Sequence, residues 1–168
     1  MICQSITTST TLSMQLAQIN VARMQQPLDT EHMKEFREFL DPMNALAESS
    51  PGFVWRLVAE EDSDSVYFDH PGFDELYILN MSVWEDFSSL KQFVYHTVHS
   101  YFVRSRKRWF ERMERPHAAL WWVALGHEPS VQEALEKLDR LNREGSSAEV
   151  FDWKNLYDER GNAVRELK

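Results

Sequence analysis

The chain has 168 residues and a formal net charge of −9, with 43% hydrophobic and 12% aromatic residues. That length suits one domain with a packed core, burying ~70% of the surface its extended chain exposes, and the acidic balance speaks against a nucleic-acid partner, which needs a dominant basic face. The single cysteine, Cys3, excludes a disulfide framework or a cysteine metal cluster and suits a reducing compartment, and no run approaches the ~18 apolar residues of a membrane helix.

Residues 1–14 have neither a basic start nor an apolar stretch, so they read as a disordered tail and the expected compartment is the cytoplasm. Gln15 to Arg23 alternates and is rich in Leu, Ile and Val, which predicts a strand ended before Pro27. Asp29 is placed to cap a helix through about Glu48. It carries Met33, Phe36, Leu40, Met43 and Leu46 at three- and four-residue spacing, with Pro42 as an expected kink or break. Ser50-Pro51-Gly52 makes a turn, and Phe53 to Glu60 is the second strand. A polar hairpin loop follows over 60–72, then Glu75 to Trp84 as the third and most apolar strand.

Asp86 or Ser88 caps a long helix running to about Met113, stopped by Pro116. His117 to Leu125 is the fourth strand. Ser130 caps a last helix through Arg143, with Gly145 as its stop. The domain body therefore covers 15–144, and 145–168 is an extension whose Phe151, Trp153, Leu156 and Tyr157 can pack on the body or on a partner subunit.

This β-α-β-β-α-β order predicts an α+β fold: a four-stranded antiparallel, ferredoxin-like sheet with both main helices on one face. The second face is then bare, and its apolar area predicts a homodimer. Strand alternation sorts the side chains. Ala17, Ile19 and Val21 share a face, as do Tyr77, Leu79, Met81 and Val83; these wholly apolar sets are expected under the helices. The mixed sets place Gln18, Asn20, Asn80, Ser82 and Trp84 on the open face, as a hydrogen-bonded dimer seam or as the polar fixtures of a pocket. Trp55, Trp121 and Trp122 flank the same sheet. Six tryptophans point to an interface or pocket, because the ring N–H of each wants a partner.

The long helix is apolar on two sides. Phe87, Leu90, Val94, Val98 and Tyr101 form a core stripe, and Tyr95, His99, Phe102, Arg106, Trp109 and Met113 form a second. His99 can serve as general acid or base, or as a hydrogen-bonded packing residue beside aromatics. Arg106, two turns on, can hold an anionic oxygen. His96 points away, and no third ligand has the spacing for a metal site with His99, so no metal is expected. The basic run Arg104 to Arg108 suits the end of a helix, where cations favour the dipole.

From about Leu16 to Arg143 the chain resembles domain-of-unknown-function family 3291, within the dimeric α–β barrel superfamily. The residues that carry the resemblance are LAQINVAR at 16–23, NALAESSPGFVWRL at 44–57, NMSVWE at 80–85, FVYHTVHSYFVRSRKRWFERM at 93–113 and ALWWVALGHEPSVQEALEKL at 119–138. More distantly it is similar to the antibiotic-biosynthesis monooxygenases, whose Asn-x-x-x-Trp strand pattern matches Asn80 and Trp84 and whose helix histidine has a register-shifted counterpart in His99. The resemblance implies oxidation or rearrangement of aromatic or polyketide-like metabolites in secondary metabolism, without metal or flavin, in a pocket between sheet and helices.

The reading that joins these features is a small-molecule enzyme: an oxygenase, cyclase or isomerase. His99 moves the proton, Asn80 and Arg106 stabilise developing charge, and Asn20, Trp84, Phe102, Trp109 and Trp55 bind the substrate. The alternatives are a haem-binding protein with His99 as axial ligand, and a non-catalytic ligand-binding or structural dimer.

Overall fold

The computed structural model describes residues 14–58, 73–97 and 99–164. The expected tail, apart from Met14, and all of the expected 60–72 loop lie outside the described residues. Strand β1 (Met14–Arg23) is the hub of the sheet, pairing with β3 (Tyr77–Trp84) on one side and β4 (Ala118–Ala124) on the other. Strand β2 (Phe53–Arg56) joins β3, giving the order β2-β3-β1-β4 with every pairing antiparallel. Together with the helices this is the ferredoxin-like α+β arrangement.

Helix α1 (Lys34–Ser49) continues through Pro42 instead of breaking there. Proline removes the bond to the carbonyl four residues back, but Glu38 and Pro42 are both exposed, so water can take its place. Asp29 does not cap this helix. A short 3-10 turn at Glu31–Met33 precedes it, behind Thr30, whose hydroxyl donates to the Pro27 carbonyl at 2.8 Å.

The predicted long helix is two helices, α2 (Phe87–His96) and α3 (His99–Ser105), followed by a 3-10 turn at Arg106–Arg108. Asp86 caps α2, its carboxylate accepting from Ser89 N at 2.8 Å. The break falls at Thr97, whose backbone is extended (φ −118°, ψ −178°). Its hydroxyl donates to the Phe93 carbonyl at 2.6 Å and accepts from His99 N at 3.1 Å, so a side chain replaces the missing helical bonds. Helix α4 (Val131–Glu144) starts on Ser130, which accepts from Glu133 N at 3.1 Å, and stops at Gly145 with φ 78°. That left-handed backbone is what glycine permits.

Helices α1 and α2 share one sheet face, but it is the mixed one. Leu16, Trp84 and Leu120 pack under Ala47 of α1 and Leu90 and Phe93 of α2. The wholly apolar set, including Ile19, Val21, Leu79, Met81, Val83 and Trp121, packs instead against Ala134, Leu135, Leu138 and Leu141 of α4. The sorting by alternation holds; its assignment to helices is reversed. The reason is that α4 has a continuous apolar stripe of its own and takes the apolar ground, leaving the mixed set to the other helices. Among the described residues each face thus carries helices of the same chain, so neither is the wholly bare face from which the homodimer was expected.

The extension packs on the body. Phe151 exchanges backbone bonds with Leu120 at 2.8 and 2.9 Å beside the outer edge of β4. Val150 joins the core under α4 and Phe151 the core on the other face. Trp122 Nε1 donates to the Tyr157 carbonyl at 2.8 Å, and Leu156–Tyr157 pairs with Ala163–Val164 as a small ribbon, β5 and β6. Among the described residues no helix is long and apolar enough to cross a membrane.

Candidate functional site

The mixed face is closed at its two ends and open between them. At one end Trp84 and Leu16 lie under Phe93 and Leu90; at the other Ile78 and Met24 lie with Phe36, Leu40, Phe102 and Trp109. Between the two clusters β1 and β3 align Gln18 with Ser82 and Asn20 with Asn80. Asn20 and Asn80 are exposed, although they sit on the two central strands of a sheet covered on that side by helices. Exposure there requires a gap in the cover: a cleft with a polar floor between two apolar walls.

Gln18 Nε2 donates to Asn80 Oδ1 at 2.7 Å and to Ser82 Oγ at 2.9 Å, and Trp84 Nε1 donates to the same Oγ at 2.9 Å. Among the described residues neither Asn80 Nδ2 nor the side-chain amide of Asn20 has a protein partner, so both are free to meet a ligand.

His99 opens α3 with its ring folded back on α2, 4.8 Å from the Phe93 ring, which is stacked 5.1 Å from Trp84. Its Nδ1 lies 3.4 Å from the Val94 carbonyl. Burial holds its pKa below the ordinary histidine value, an effect only partly offset by that carbonyl. A neutral ring with its proton on Nδ1 leaves Nε2 as an acceptor.

The other expected site residues divide. Trp84 is 0% exposed and Trp109 2% exposed, so both shape the cleft from beneath and offer no open ring face. Trp109 stacks on half-buried Phe102 at 5.6 Å, with the Arg108 guanidinium 4.9 Å over its ring. Trp55 lies beside Val83 on the α4 side of the sheet, away from the cleft, because its place in β2 gives it the opposite alternation. Arg106 is not brought to His99. Arg106 opens the 3-10 turn that follows α3, and its Nη1 lies 3.2 Å from His117 Nε2. Burial first, and the Arg106 charge second, lower the His117 pKa.

Three residues outside the expected catalytic and substrate-binding set belong to the site, two of them (Gln18 and Ser82) already expected among the polar residues of this sheet face. Gln18 and Ser82 orient the floor. Phe39 of α1, 41% exposed and 5.0 Å from Phe102, lies at the outer side of the wall. Four polar residues at two-residue spacing on paired strands were the available signal for the first two. A surface clasp joins α1 to α3 nearby: Tyr101 donates to Glu35 at 2.9 Å, and Arg108 reaches Tyr101 at 2.9 Å and Glu35 at 2.6 Å.

Among the described residues no group of three His, Cys, Asp or Glu side chains is placed to hold a metal ion. His99 Nε2 is the candidate axial donor for haem, but a porphyrin face laid on the floor of Gln18, Asn20, Asn80 and Ser82 would bury those polar groups unpaired, so the floor does not suit it.

The residue pattern of the family described as "Domain of unknown function (DUF3291)" matches residues 15–166. Among solved structures, similarity extends to a protein of unknown function from Nitrosomonas europaea, 9% identical, covering 71% of this chain and 96% of that one with a TM-score of 0.44. A protein from Pseudomonas aeruginosa is 13% identical over 67% of this chain and 95% of its own, with a TM-score of 0.44. SnoaB, a cofactor-independent oxygenase from Streptomyces nogalater, is 13% identical over 71% and 98% of the two chains, with a TM-score of 0.41. No curated protein matches the chain.

Proposed function

The chain belongs to the DUF3291 family, and from that premise we propose that its cleft is the active site of a small-molecule enzyme working without metal or flavin, on a planar phenolic or enolisable metabolite. The observation that carries this reading is the exposed pair Asn20 and Asn80 at the centre of a sheet face whose two ends are sealed. A cleft that only stabilised the fold would have no use for unpaired amides there.

The chemistry follows from the groups present. Neutral His99 accepts a proton through Nε2, and the Asn80 and Asn20 amides donate to the oxygen on which negative charge develops. Phe93 and Phe102 confine the ring of the ligand from the two walls. The resulting enolate or phenolate is the common first intermediate of isomerisation, cyclisation and attack on dioxygen, so the floor suits all three reaction types. Arg106, committed to His117, takes no part.

Titration with a panel of planar phenols and naphthols, read by tryptophan fluorescence, tests the reading. Asn80→Ala should weaken binding about tenfold, the worth of one good hydrogen bond. His99→Gln should retain binding and lose ligand proton exchange and turnover. Binding without accelerated exchange at the acidic position would reduce the protein to a ligand carrier. If no member of the panel binds, the proposal falls, and a Soret band in the purified protein would replace it with a haem function.

A further inference from the structure

The hydrogen bonds beneath the cleft fix the direction in which each floor group faces. The Trp84 ring N–H can only donate, and it takes Ser82 Oγ at 2.9 Å. Gln18 Nε2 spends one hydrogen on the same oxygen and the other on Asn80 Oδ1. Both lone pairs of Ser82 are then filled, so its own hydrogen must point elsewhere. Among the described residues it finds no acceptor, although Ser82 is only 6% exposed. Asn80 has its carbonyl occupied and its Nδ2 hydrogens unspent. The groups left over beneath the cleft, Ser82 O–H and Asn80 N–H, are therefore both donors, and a buried donor without an acceptor is costly until a ligand supplies one.

We propose that Gln18 is a positioning residue that holds this floor in donor polarity, and that the cleft thereby selects the deprotonated, phenolate or enolate, form of its planar ligand. The inference rests on the cleft being the ligand site, as proposed above. A floor that offers donors and no acceptor favours a ligand oxygen when it is charged. Without the Gln18 donor, the Asn80 amide is free to turn over and present its carbonyl, which repels an anionic oxygen and accepts from a neutral phenol. Gln18 acts only through Asn80 and Ser82.

The test uses the full chain and 4-nitrophenol, whose neutral and ionised forms have separate absorption bands. With the wild-type protein the bound ligand should ionise about one pH unit lower than the free ligand, a tenfold preference for the phenolate. Gln18→Glu keeps the shape of the side chain, but its carboxylate cannot donate. Asn80 should then turn its N–H groups toward residue 18, and the preference should vanish or reverse with the melting temperature nearly unchanged. Gln18→Met, which can neither donate nor accept, should abolish the preference without reversing it and serves if the glutamate variant does not fold. A structural role would not move the ionisation of a bound ligand. If both variants bind nitrophenol and keep the tenfold preference, or if the wild type binds both forms equally, Gln18 does not set the polarity, while the cleft remains a ligand site. If the wild type binds neither form, the reading of the cleft falls and this inference with it.

Discussion

The two faces of one sheet are built to opposite ends. Toward α4 the central inward side chains of β1 and β3 are apolar, with buried Gln15 at the start of β1, and Ile19, Met81 and Val83 have no exposed surface. Toward α1, α2 and α3 the same strands alternate to Gln18, Asn20, Asn80 and Ser82, with apolar packing only at the ends. A sheet cannot change one face without keeping the backbone of the other. The sealed face therefore acts as the rigid plate on which the open face holds its amides in register.

Replacing a tryptophan on either face should show the largest effect. Trp121 on the sealed side and Trp84 at the end of the cleft side are both buried, and either change to alanine should cost ~3–5 kcal/mol in chemical denaturation. A small loss at Trp84 alone would mean that the end of the cleft is not sealed. Ser82→Ala comes next. It leaves the Trp84 ring N–H without its acceptor and should cost ~1–3 kcal/mol, whereas a loss near zero would show the indole finding water through the cleft.

A smaller effect appears in pH dependence. The folded state holds His99 below the ordinary value of 6.5, so as pH falls past that value the unfolded chain takes up a proton first. The stability that neutral His99 provides is present above that pH and lost between it and the lower folded value. His99→Gln should flatten the melting temperature against pH in that window. The slope should not vanish, because His117 shifts in the same direction. Smallest of all, Asn20→Ala should change stability by less than ~0.5 kcal/mol, since its side chain is exposed and unpaired among the described residues. A cost above 1 kcal/mol, read by denaturant titration, would make Asn20 part of the plate rather than of the site.

The order of the four sheet strands, the cap at Ser130, Asp86 as one of two candidate caps for α2, and the stop at Gly145 were legible in the sequence, because each rests on local chemistry within a few residues. The pairing of helix to face was not. Alternation tells which side chains travel together, but only the packing of α4 decides which set is sealed, and that contact joins Leu135 and Leu138 to strands far away in the chain. The break at Thr97 was hidden for a similar reason: apolar spacing continues across it, and only the hydroxyl bonds to Phe93 and His99 show where the helix ends. Asn20, Asn80 and His99 were visible as chemistry-bearing residues. That Trp55 faces the other way and Arg106 answers to His117 depends on strand register and on the start of β4, which composition does not encode.

The backbone exchange between Phe151 and Leu120 also bears on how the chain behaves in a crowd. Strand β4 is one of the two outer strands of the sheet and reads Ala-Ala-Leu-Trp-Trp-Val-Ala, uncharged and without proline, the composition that recruits further strands into fibrils. Phe151 occupies that margin at Leu120 as a built-in guard, and Trp122 is tethered to Tyr157 beside it. A protease nick at 145 that released the extension would thus uncover a sticky template, and turbidity would accompany a lower melting point because Val150 and Phe151 leave the two cores with it.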